Sequence, residues 1–104
     1  MNGFRAWVTS WVDAHADELA ARGVSATLIA GPRERATTAV WTDFDTDQRT
    51  ARVIVWDSGE AELVVGAFSS GDVIWNEHLT LTSEFGVAAV LEDAARWATG
   101  ELRP

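Results

Sequence analysis

Phe4, Val8, Trp11, His15 and Leu19 recur at helical spacing with Val12 beside them, while Asp13, Asp17, Glu18 and Arg22 lie off that stripe. The pattern predicts an amphipathic helix over residues 3–22, stopped by Gly23. Alternation then replaces helical period. Strands are predicted over 24–31, 36–44, 50–57, 60–68 and 73–82, with Gly31-Pro32 ending the first. The turns between the later strands are Asp45-Thr46-Asp47-Gln48, Ser58-Gly59 and the segment 69–72. Ser83 suits the N-cap of a final helix and Glu84 its positive end. That helix would bury Val87, Val90, Leu91, Ala94, Trp97 and Ala98 and end at Gly100.

Short turns make up-and-down order the economical topology. The predicted fold is therefore α+β: an N-terminal helix, a five-stranded antiparallel meander and a C-terminal helix. One domain is expected over residues 1–104. A four-residue loop at 45–48 sets Trp41 against Arg52, a two-residue loop at Ser58-Gly59 sets Ile54 against Leu63, and a turn at Ser70-Gly71 sets His78 against Leu63 and Asn76 against Val65. One sheet face then holds Trp41, Ile54, Trp56, Leu63, Val65 and Ile74, mixed with Asp43, Arg52, Asn76 and His78. The other holds Val40, Phe44, Val53, Val55, Val64, Phe68, Val73, Trp75, Leu79 and Leu81. The second is the more purely apolar, so both helices are assigned to it. Two helices can shield one face only. Trp41, Ile54, Trp56 and Leu63 are left as a candidate docking surface, because contiguous exposed apolar patches mark interaction sites.

Composition narrows the possible partners. Apolar residues make up 47% of 104, enough for a core, and there is no Cys, which removes disulfides, thiolate metal sites and cysteine nucleophiles. A small cysteine-free domain favours a cytoplasmic location. No signal peptide and no membrane-spanning run of apolar residues is recognised. Net charge is −8, from 16 acidic residues against 8 arginines. Such a chain repels phosphate backbones and anionic lipids, so neither nucleic acid nor membrane is expected as a partner, and a basic protein is favoured.

Candidate chemistry is sparse. Asp43-x-Asp45-x-Asp47 opens like a calcium loop, but Gln48 and Ile54 stand where that loop needs Gly and Glu. His15 lies on the buried helical stripe, and His78 on a strand lacks the positioned partner and pocket that a general base requires. Two histidines without cysteine make a poor zinc site. Glu60, Glu62 and Glu77 read as scattered strand carboxylates, and the glycines form no phosphate cradle. Gly66, inside a strand, marks a bulge or a close approach. No catalytic residue, metal or cofactor is expected.

The whole chain carries a family resemblance. It lies in Phe4-x-x-Trp7-Val8, in the stretch from Val53 through Trp56-Asp57-Ser58-Gly59-Glu60-Ala61-Glu62 to Leu63, and in Asn76-Glu77-His78 before the closing helix. These features resemble the TriTu immunity proteins of actinobacterial polymorphic-toxin systems. The resemblance implies a cytoplasmic protein that neutralises a cognate toxin by binding it, without catalysis. Trp41, Arg52, Ile54, Trp56, Leu63, Asn76 and His78 are then the partner-binding candidates. A secretion chaperone or adaptor of helix–sheet–helix build is the alternative. A small-ligand site at His78 and Arg52 would require a closed pocket beside them. Whether two copies pair as a homodimer is left open by the sequence.

Overall fold

The computed structural model describes residues 3–30 and 39–104. Helix α1 (Gly3–Ala21) leads into β1 (Ser25–Ala30), β2 (Ala39–Asp45), β3 (Arg49–Trp56), β4 (Glu60–Ala67), β5 (Val73–Thr80) and α2 (Glu84–Thr99). The strands form one antiparallel sheet in the order β1-β2-β3-β4-β5. The α+β meander expected from the sequence is the observed fold. The expected turn at Gly31-Pro32 and the start of the second strand at 36 fall outside the described residues.

Each helix stops for a local reason. At the end of α1 the Val24 N–H reaches the Leu19 carbonyl (2.9 Å) and the Gly23 N–H reaches that of Ala20 (3.0 Å). This is a Schellman closure, with Gly23 at φ +80° in the left-handed position and Val24 and Leu19 both in the core. At the start of α2 the Ser83 hydroxyl accepts the Gly86 N–H at 3.2 Å. Two of its last carbonyls, those of Trp97 and Ala98, accept from Arg49 at the start of β3 and from Thr46 in the β2–β3 turn. Thr46 Oγ1 donates to the Ala98 carbonyl (2.9 Å), and Arg49 Nη1 donates to those of Trp97 (2.9 Å) and Leu102 (2.8 Å). A cation at the negative end of a helix is also favoured by the macrodipole.

Both helices lie on one side of the sheet, against Val40, Phe44, Val53, Val55, Leu63 and Val65. From α1 they bury Val8, Val12 and Leu19, and from α2 Val87, Val90, Leu91, Ala94, Ala95, Trp97 and Ala98. His15 is half-buried, stacks on Trp11 at 4.1 Å and places Nδ1 2.8 Å from the Trp11 carbonyl oxygen.

Strand β4 departs from the expected register. Ala61 faces Val55, Glu62 faces Ile54 and Leu63 faces Val53. Leu63 and Val65 therefore point into the core, where Leu63 is 1% exposed, and Glu62 and Val64 point the other way. The β3–β4 loop has three residues rather than two. The Gly59 N–H bonds the Trp56 carbonyl at 2.9 Å, and Gly59 sits at φ +96° as the extra left-handed residue. An odd loop reverses the parity of the strand that follows. A second one-residue difference, Glu62 opposite His78, reverses it again at β5, so Asn76 and His78 keep their expected face. Between Trp75, paired with Val65, and Val73, paired with Gly66, a bulge leaves Ile74 without a partner, and Ile74 packs against the core instead of facing outward. Phe68 and Val73, expected under the helices, are 56% and 62% exposed.

Thr42 is fully buried on the helix-covered face, and its hydroxyl makes no hydrogen bond among the described residues. Thr42→Val keeps the shape and removes that desolvated group. It is expected to stabilise the chain by about 1 kcal/mol, read as a higher urea midpoint at unchanged m-value.

Candidate functional site

The second face of the sheet carries no helix among the described residues. Alternation delivers Ile29 from β1, Trp41, Asp43 and Asp45 from β2, and Thr50, Arg52, Ile54 and Trp56 from β3. Strand β4 adds Glu60, Glu62 and Val64, and β5 adds Asn76, His78 and Thr80. The core face uses the intervening residues, which is why the apolar centre of this outer face is legible as a period-two pattern.

Ile29, Trp41 and Ile54 lie side by side across three strands, with Trp56 next along β3 opposite Ala39. All four large side chains are half-buried. Arg52 stands at the edge of this strip. Its Nε and Nη2 donate to the two Asp43 carboxylate oxygens at 2.6 and 2.9 Å, and its Cζ lies 5.9 Å from the Trp41 ring centre. The hydrogen bond to Asp43 holds the guanidinium pKa above its ordinary value, with the fields of Asp43 and Asp45 adding and partial burial opposing. Asp45 accepts the Thr50 hydroxyl. Across the face, His78 Nε2 lies 3.7 Å from Glu60 Oε1, with both side chains exposed. Asp43, Asp45, Glu60 and Glu62 thus set an acidic rim around an aromatic centre, and Arg52 is already paired.

Six of the seven residues singled out from the sequence share this face: Trp41, Arg52, Ile54, Trp56, Asn76 and His78. Leu63 is the exception, since the odd β3–β4 loop turns it into the core. Glu62 and Val64 take its place. The alternation of β4 itself, with Glu60 and Glu62 on one side and Ala61, Leu63 and Val65 on the other, carried that signal.

Asp43, Asp45 and Asp47 do not converge, and no cluster of metal-binding side chains occurs among the described residues. Among the described residues, concavities lie elsewhere: about 240 Å³ between α1 and α2, beside Trp7, Trp11 and Val87, and about 410 Å³ by the end of α2, beside Arg49 and Arg103. Neither includes Arg52 or His78. No described helix is long and apolar enough to cross a membrane.

Fold and face together define an α+β protein in which, among the described residues, both helices lie on one side of the sheet and none on the other. The chain belongs to the family described as immunity protein TriTu, which it matches over residues 4–97. An immunity-type role follows from that membership. No curated protein matches the chain in sequence.

Proposed function

We propose that the chain neutralises a cognate bacterial toxin by binding it through the uncovered sheet face, without catalysis, in the cytoplasm of the toxin-producing cell. The observation that carries this reading is the outward row of Trp41, Ile54 and Trp56 within an acidic rim, in a member of an immunity family. Trp and Arg are the side chains that most often dominate interface energies, and a net charge of −8 steers a basic partner into encounter. Trp56 and Trp41 would anchor the toxin. Arg52, held flat by Asp43, would offer it a rigid planar surface. Asn76 and His78 would contribute polar contacts beyond Ile54.

The test is the double substitution Trp56→Ala with Arg52→Ala, checked for an unchanged urea transition and then titrated with toxin by calorimetry. A loss of about 2–4 kcal/mol, or roughly 30- to 1,000-fold in Kd, is expected. Native affinity in the folded double variant would remove this face from the interface.

A further inference from the structure

We infer that β5 is the contact strand of a homodimer, paired antiparallel with β5 of a second copy about a two-fold axis normal to the sheet. This does not rest on the toxin-binding reading.

Strand β5 closes the sheet on one side, so half of its backbone donors and acceptors face outward. Neither helix lies over it. From α2, Trp97 stacks on Trp75 at 5.0 Å, and Ile74 and Leu79 pack against the core. Edges that must stay single are usually short, or carry Lys or Pro. This strand has eight residues and neither Lys, Arg nor Pro. Three large apolar side chains exposed in the structure sit on it or in the turn leading to it: Phe68 at 56%, Val73 at 62% and Trp75 at 38%.

Geometry and charge select the occupant and its register. The bulge at Ile74 ends regular pairing, leaving residues 75–80 available. A two-fold axis normal to the sheet sets one residue opposite itself, and within that span Glu77 and His78 are the central choices. Centring on Glu77 puts two carboxylates face to face, which is unfavourable. Centring on His78 puts Asn76 opposite Thr80 of the second copy and Glu77 opposite Leu79, with no two carboxylates directly opposite one another. The strand itself carries one carboxylate, Glu77, and one imidazole, His78, which lies 3.7 Å from Glu60 of the same copy, so the axis falls on an imidazole rather than on a carboxylate. The two-fold would also place both uncovered faces on the same side of a continuous ten-stranded sheet.

Sedimentation equilibrium of the full chain, at concentrations above about 1 μM, tests the inference. A mass twice the 11.3 kDa of the chain is expected. His78→Asp, which sets two carboxylates on the axis, is expected to weaken association at least about tenfold. Trp56→Ala, away from the edge, is expected to leave it unchanged, which separates this contact from the toxin-binding face. Hydrogen exchange needs no variant: protection of backbone amides in residues 75–80 is expected to rise with protein concentration. A monomeric mass throughout, a dimer indifferent to His78→Asp, or β5 protection that appears only when toxin is added would each overturn it.

Discussion

Gly59→Ala is expected to lower the unfolding free energy by at least about 3 kcal/mol, the sum of two effects at one residue. Gly59 holds φ +96°, where a side chain is strained by roughly 1–2 kcal/mol. A Cβ there would also lie 2.6 Å from the Leu81 carbonyl oxygen and 3.1 Å from the Phe4 ring. The ring can yield, but the carbonyl belongs to backbone that is itself tied down, because the Leu81 N–H donates to the Gly59 carbonyl at 2.7 Å. Relief therefore requires the β3–β4 turn to separate from the chain leaving β5. Gly23→Ala is the control. It has comparable positive φ (+80°) and nothing within 4 Å of its Cβ position, so only the conformational part should be lost. Urea unfolding of both variants measures the difference. Equal losses would show that the close approach at Leu81 contributes nothing.

The same glycine explains where sequence reasoning stopped. The helices were readable because their periodicity, the Ser83 cap and the Gly23 and Gly100 stops all agree. Strands β2 and β3 were readable because alternation on β3 places Val53 and Val55 opposite in sense to Ile54 and Trp56. The β2–β3 turn differs from the expected one by a register step of two, with Trp41 opposite Ile54 rather than Arg52, so every side chain kept its face. On β4 two signals conflicted: loop length taken from Ser58-Gly59, and the alternation of Glu60 and Glu62 with Ala61, Leu63 and Val65. Burial is the stronger physical constraint, because it acts on every residue of the strand, whereas a turn can absorb one extra residue in a left-handed glycine. The exposure of Phe68, Val73 and Trp75 was not legible. It depends on α2 packing mainly over β3 and leaving β5 clear, and on the bulge at Ile74, and neither lies in the period of the strand itself.

Leu63→Ala and Glu62→Ala, adjacent in sequence, are expected to act on different properties. Leu63 is sealed between the sheet and the helices, so its truncation leaves a cavity and is expected to cost about 2–5 kcal/mol. That is a large share of the 5–15 kcal/mol, order of magnitude, that holds a native domain together. The variant should unfold at much lower urea while the folded fraction keeps native toxin affinity. Glu62 lies on the outer face between Ile54 and His78, and its truncation should shift stability by less than about 0.5 kcal/mol. On the proposed toxin-binding reading, loss of a rim carboxylate should instead slow association with a basic toxin and flatten the dependence of that rate on salt. Stopped-flow association at several ionic strengths, beside urea unfolding, separates the two. The assignment rests on the parity of β4. A mild Leu63→Ala together with a severely unfolding Glu62→Ala would mean that the strand presents its other side to the helices, and that Leu63 rather than Glu62 belongs to the docking face.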